Sequence, residues 1–272
     1  MDGFPVLQPL PTVKVDQIDP FLLLHHAQIR LPGNRRQSEV GIGPHPHRGF
    51  SPVTFVFTGD VHHRDSRGNS KVVSAGGVQW MSAGMGIIHS ERPSKELAET
   101  GGEQEIIQLW INTPAAQKMD QPHYFAVQQN DMPRLPGLTG DVRLVAGQVN
   151  NLQGPVRGAL PVTALMGELA KGDEFRMDKT VGENAFLYVL DGAGRLDGFG
   201  LVEGQNLYHL EPDADHVSLS ADGALKMIFL SALPIGEKVE HYGPFVMTNQ
   251  TQIMEAMRDY QMGKMGFLVE EF

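Results

Sequence analysis

Three imidazoles and one carboxylate stand in two short clusters of this 272-residue chain, His45-Pro46-His47 and His89-Ser90-Glu91. Within each cluster the candidate ligands are two residues apart. Successive side chains of a strand point to opposite faces, so this spacing puts both members of a pair on one face. Neutral imidazole with a carboxylate is a hard-to-borderline donor set, suited to divalent iron, manganese, cobalt, nickel, copper or zinc. Four such ligands on a six-coordinate metal leave two positions open, which dioxygen activation or bidentate substrate chelation requires, whereas a four-coordinate zinc would be closed and structural. A single His-x-His pair also arises by chance in a polar loop, with His89 then capping a turn. Two paired clusters joined by a strand-rich segment point instead to a metal site of His45, His47, His89 and Glu91. Gly84 and Gly86 fit that reading, because glycine lets the backbone turn sharply just before His89 is presented.

The remaining candidates read as structural. His25 and His26 are adjacent, so on a strand they face opposite ways and cannot both reach one metal. His62 and His63 fall in a polar, turn-rich segment, residues 61–69, and read as a solvated hairpin, with a place at a pocket mouth as the alternative. His216 lacks partners and reads as a surface or core histidine. Arg48 reads as one half of a salt bridge beneath the site, or else as part of a surface that a partner protein recognises.

Short strands must position these residues. Ser51 to Gly59 is β-branched and aromatic and ends at a glycine turn; Lys71–Ser74, Gln104–Asn112 and Tyr124–Val127 follow as further strands. Recurrence at roughly 8–12 residues marks an antiparallel barrel or sandwich. Phe21 to His26 is a short apolar run, a buried strand or an interior loop. Four prolines in residues 1–20 predict an extended leader. Two prolines and two glycines in residues 131–141 mark an interdomain linker, and Val142 opens a second strand-rich half. There Ala185 to Gly192 echoes Val53 to Gly59. The same offset lays His45 on Asp178 and His47 on Thr180, so the second half lacks the histidine pair. Capping residues at 248–251, then Ile253, Met254, Met257 and Tyr260 near helical spacing, predict one C-terminal helix at about residues 250–262.

Composition narrows the function classes. Hydrophobic residues make up 41% and charged residues 20%, ordinary for a soluble globular protein, and 31 glycines with 18 prolines favour β structure with many turns. With 22 basic against 32 acidic residues, the net charge of -10 repels phosphate backbones and anionic lipid, which argues against direct nucleic-acid binding. Arg30, Arg35 and Arg36 read as a solvated loop. Cysteine is absent, which excludes disulfides, zinc thiolates and thiol nucleophiles. The N-terminus carries no signal-peptide pattern and no stretch approaches the ~20 apolar residues of a spanning helix, so a cytoplasmic protein without membrane contact is expected.

Residues 45–50 (His-Pro-His-Arg-Gly-Phe), residues 77–91 (Gly-Val-Gln-Trp-Met-Ser-Ala-Gly-Met-Gly-Ile-Ile-His-Ser-Glu) and Leu109-Trp110-Ile111-Asn112 resemble the signature of the pirin family within the cupin superfamily. The likeness extends to Asp19-Pro20-Phe21-Leu22-Leu23 and to residues 241–248, so it covers nearly the whole chain. It implies an all-β bicupin, two stacked antiparallel β-barrel (double-stranded β-helix) domains with a C-terminal helix. The expected division is 1–131 for the metal-binding domain, 132–141 for the linker and 142–272 for a second domain without metal ligands. The resemblance implies that iron(II) is bound only by the first domain, through His45, His47, His89 and Glu91; a monomer is expected. It also implies either quercetin 2,3-dioxygenase activity on a flavonol-like aromatic substrate, or a redox-dependent regulator that binds a protein partner. In the enzymatic reading Glu91 is the catalytic base that takes the flavonol hydroxyl proton. One departure is Ser51-Pro52, where many pirins carry Glu after the phenylalanine; it bears on pocket shape, since that position is not a ligand.

Overall fold

The computed structural model describes residues 6–210 and 212–272. Met1 to Pro5, the start of the expected leader, lie outside the described residues, and Val6–Leu10 is already a strand. The apolar run at Phe21 is a strand too, extending over eleven residues to Leu31.

Two β units follow the same plan. In the first, a six-stranded antiparallel sheet runs in the order Val6–Leu10, Phe21–Leu31, Gly102–Asn112, Phe50–Thr58, Val78–Ser82, His123–Val127. It faces a four-stranded sheet in the order Ile42–His47, Ile87–Arg92, Asp60–Asp65, Ser70–Ser74. The second unit repeats this with a five-stranded sheet, Asp141–Ala146, Thr163–Leu169, Leu225–Ala232, Asn184–Asp191, Asn206–Leu210, and a four-stranded one, Glu174–Asp178, His216–Ala221, Ala193–Leu196, Gly200–Glu203. The duplicated order bears out the internal echo, with Asn184–Asp191 standing where Phe50–Thr58 stands in the first unit.

The large sheets of the two units pack face to face, which explains why their strands read as unbroken apolar runs. Val53, Phe55, Trp80 and Leu109 from one sheet share a buried cluster with Phe186, Tyr188 and Ile228 from the other. The Phe21 and Phe186 rings meet edge to face at 5.0 Å. The alternate residues point inward. In the second barrel these are Leu187 and Val189, which close an apolar interior with Phe175, Met177, Val217 and Leu219. In the first barrel they include polar Thr54, Gln79 and Gln108, all buried. One barrel is filled with hydrocarbon and the other is lined for chemistry.

Asp173 ties the connection between the units. It accepts hydrogen bonds from Thr139 N and Oγ1 and Gly140 N, each at 2.8 Å, and from Ala170 N at 2.9 Å. Desolvation raises its carboxyl pKa, but these donors outweigh it and hold the group well below the ordinary 3.8. A depressed folded pKa contributes stability above the unfolded value, and that contribution is lost as pH falls through the folded one. Asp173→Asn is therefore expected to lower Tm at pH 7, with the gap from wild type closing as the pH drops below 3.8; melting curves across that range check it.

The helix Gln250–Gln261 forms as its spacing predicts, with the Asn249 side chain accepting from Gln252 N at 3.0 Å as its N-cap. It does not stay with the second barrel. Phe245, Met247, Ile253, Ala256 and Met265 pack on Ile88, the outer face of the four-stranded sheet of the first barrel. Main-chain bonds from Arg48 N to Pro244 O and from Val246 N to Arg48 O join the segment to the end of the strand Ile42–His47. Buried Lys118 adds a clamp, donating to Gly49 O, Asn112 Oδ1 and Val246 O, and burial pushes its pKa down to about 8. No helix among the described residues is long and apolar enough to cross a membrane.

Candidate metal centre

The strands Ile42–His47 and Ile87–Arg92 pair antiparallel with His45 opposite His89. Directly paired residues share a face, and residues two apart share it as well, so all three imidazoles converge inside the first barrel. Their ring centroids lie 4.3 to 4.9 Å apart, and one ligand atom from each falls within 4.8 Å of the others. The glycines before His89 are in conformations that favour them, φ +49° at Gly84 and +130° at Gly86.

Hydrogen bonds orient the rings. His45 Nδ1 lies 2.9 Å from Gly43 O, and His47 Nδ1 lies 3.4 Å from Pro244 O. A carbonyl only accepts, so in each ring Nδ1 carries the proton and Nε2 keeps its lone pair. Pro244 belongs to the returning C-terminal segment, which gives residues 241–248 a physical role at a site far away in sequence. His89 Nε2 is buried and has no hydrogen-bond partner among the described residues. Desolvation first, then the neighbouring imidazoles, push His47 and His89 well below the ordinary 6.5, so both rings are neutral and available as ligands. A buried lone pair without a donor costs free energy that a cation would recover. The donor set therefore fits a divalent transition metal.

Glu91 is placed differently. Its ligand atoms are not among the group that converges within 4.8 Å, although it shares the inward face of its strand with His89. Thr54 Oγ1 donates to Glu91 Oε1 at 2.8 Å, and Gln79 Nε2 donates to the same oxygen. Gln108 Nε2 supports Thr54 at 3.2 Å, and the Tyr124 hydroxyl donates to Gln79 Oε1 at 3.3 Å. Burial pushes the Tyr124 phenol up, so it stays protonated and keeps the proton it donates to Gln79. Oε2 has no protein hydrogen bond among the described residues. Glu91 lines a cavity of about 290 Å³ whose walls are otherwise mostly apolar, including Ile29, Leu31, Ile42, Val61 and Ile106.

The hairpin expected around His62 and His63 is present, with His62 on its partly exposed side, but the solvated reading of His63 is overturned. Asp60–Asp65 is a strand in the sheet that carries the three imidazoles, and His63 is fully buried, with Nδ1 3.4 Å from His89 Nδ1 and Nε2 2.9 Å from Asp65 Oδ2. His62 points the other way, between Gln37 and Ser70. The missed signal is His63-x-Asp65, which has the same two-residue spacing as the two clusters; the polar composition around it concealed a strand buried on one side. His25 and His26 do face opposite ways: His25 bonds Gln8, while buried His26 bridges to Tyr188 of the second barrel and to Glu105. Arg48 is the buried salt-bridge partner and no surface residue, 3% exposed and paired with Asp259 at 3.1 Å. His216 sits at a strand end beside Asp215, without other histidines. Asp178 and Thr180 are exposed, and Phe175 and Met177 face inward on that stretch, so among the described residues the second barrel keeps no equivalent donor set. Ser51, at the departure from the family pattern, is buried and donates to Ser82 Oγ at 3.2 Å.

Comparison with known proteins agrees with this architecture. Residues 3–111 match the family described as Pirin, and residues 164–266 match the Pirin C-terminal cupin domain. A Pseudomonas aeruginosa protein whose naming as a quercetin 2,3-dioxygenase is itself provisional is 36% identical over 97% of this chain and 92% of its own length. Pirin-like protein 2 of Arabidopsis thaliana is 33% identical over 100% of this chain and 83% of its own. Among solved structures, a quercetin 2,3-dioxygenase from Acinetobacter baumannii superposes with a TM-score of 0.90 at 36% identity, covering 98% of this chain and 94% of that one.

Proposed function

This chain belongs to the pirin family, and on that premise we propose that it is a mononuclear iron(II) quercetin 2,3-dioxygenase, with His45, His47, His89 and Glu91 as the metal ligands. The observation that carries the reading is the buried, unpartnered Nε2 of His89 inside a three-imidazole cluster; Glu91, two residues further along the same strand, lines a cavity that the imidazoles themselves do not line. When bound, the metal would polarise the 3-hydroxyl and 4-carbonyl of a flavonol and supply open positions for chelation.

The chain's own residues supply the rest. The apolar walls hold a flat aromatic body and exclude water. Thr54 and Gln79 immobilise Glu91 Oε1, and Oε2 is left free to bind the metal or to accept the flavonol 3-hydroxyl proton as a general base. The ring-opened ester takes up both atoms of dioxygen, and C3 of the flavonol leaves with its own oxygen as carbon monoxide.

Loading the protein anaerobically with ferrous iron, adding quercetin in air and following its visible absorption tests the assignment. Iron-dependent bleaching is expected. Absence of turnover with one equivalent of iron bound would remove the dioxygenase reading. Glu91→Gln is expected to keep its iron on the three histidines and lose about 10²–10⁴-fold in kcat, the usual worth of a general base; unchanged turnover at full occupancy would take that role away from Glu91.

A further inference from the structure

A second histidine-carboxylate pair lies directly behind the imidazole cluster, and the reaction as derived above does not use it. We propose that His63, held by Asp65, is a positioning residue for the metal centre: it accepts the Nδ1 proton of His89 and so leaves His89 Nε2 as the ligating atom. The inference rests on the metal-site reading of His45, His47 and His89.

The relay follows from who can donate. Asp65 Oδ1 accepts from Arg67 N at 2.9 Å and Asn69 N at 3.0 Å, and Oδ2 accepts from Asn69 Nδ2 at 2.8 Å. A carboxylate already fixed by three donors acts as an acceptor toward its fourth partner, so the proton of the 2.9 Å contact sits on His63 Nε2. In a neutral imidazole the other nitrogen then carries the lone pair. That nitrogen, His63 Nδ1, faces His89 Nδ1 at 3.4 Å, which makes His89 the donor there. The only ring nitrogen of His89 left for a cation is Nε2, the buried atom without a partner.

His63 has little freedom to do otherwise. It is fully buried, and its ring stacks on Tyr124 at 3.9 Å with 8° between the planes. Tyr124 is anchored in turn through Gln79, the residue that also holds Glu91. The register completes the pattern: His63 lies opposite Glu91 and Asp65 opposite His89 across one strand pair.

Two measurements decide it. In metal-free protein labelled with ¹⁵N histidine, two-bond ¹H–¹⁵N correlations should show His89 in the Nδ1–H form; an Nε2–H form overturns the relay. In cobalt(II) titrations followed by visible absorption, His63→Phe keeps a ring against Tyr124 but removes the acceptor. It should weaken binding by about 10–100-fold, the cost typical of residues that orient metal ligands. Asp65→Asn should shift affinity the same way, and it serves if His63→Phe does not fold. His62→Phe, on the opposite face of the strand, should bind as wild type does. Wild-type affinity in folded His63→Phe overturns the relay alone. Failure of the wild-type protein to bind cobalt overturns the metal-site reading and the relay together.

Discussion

His89→Ala leaves a folded protein that no longer holds a stoichiometric metal ion. Wild-type protein dialysed against ferrous iron or cobalt(II) is expected to retain close to one equivalent by metal analysis, and the variant well under a tenth of that. The loss exceeds the roughly 100-fold that removal of a supporting residue costs, because a donor atom is deleted outright. His89 is the informative choice among the three. All three rings are held through Nδ1, His45 and His47 by a backbone carbonyl and His89 by His63, and the His89 Nε2 is a buried atom without a partner among the described residues. Substitution also opens a cavity and strips buried His63 Nδ1 of its donor, so the thermal midpoint of the metal-free variant should fall while the protein stays folded. Full occupancy in His89→Ala would mean that the cluster is not the metal centre.

Asp259→Ala destabilises the protein by about 3–5 kcal/mol, the cost of stranding a buried charge without its partner. Arg48 is 3% exposed; its Nη1 and Nη2 both reach Asp259 Oδ2 at 3.1 Å, and Nε reaches Met85 O at 2.7 Å. Lys264 first, then Arg48, hold the Asp259 carboxyl below its ordinary range, so the pair is ionised at neutral pH. Removing the carboxylate leaves the guanidinium buried with a single acceptor. For a chain of this size each kcal/mol moves Tm by about 2–4 °C, so a drop on the order of 10 °C is expected by calorimetry. The double variant Arg48→Met, Asp259→Leu should regain much of it, since no charge is then stranded. Metal affinity should fall as well. Asp259 lies on the helix that follows Pro244, and Pro244 O orients His47. A single variant with unchanged Tm would show that the pair is solvated in solution.

The convergence of His45, His47 and His89 was legible in the sequence because strand geometry turns a spacing of two into a shared face, and two such pairs are rare by chance. The duplicated barrels were legible for a similar reason: hydrophobic runs punctuated by glycine recur at short intervals, and Ala185 to Gly192 repeats Val53 to Gly59. His63 and Asp65 carry the same spacing yet escaped notice. Their strand is polar on its outer side, with His62 and Arg64, and ends in a turn of Asp, Ser, Arg, Gly and Asn, so local composition read as solvent-exposed. Burial of that strand is decided by its neighbour Ile87–Arg92, some 25 residues away in sequence, and no local signal reports it.

What the chain order alone determined, then, is which residues can share a face: His45 with His47, His89 with Glu91. Only the tertiary structure decided which faces meet. It set His45 against His89 across a strand pair and turned Glu91 Oε1 toward Thr54 and Gln79. It also brought Pro244 back across some 200 residues to orient His47. Periodicity is a local property of the backbone, so sequence carries it. Register between strands and the return of a distant segment follow from burying apolar surface over the whole molecule, as Ile88, Phe245 and Ile253 do beneath the sheet that carries the imidazoles.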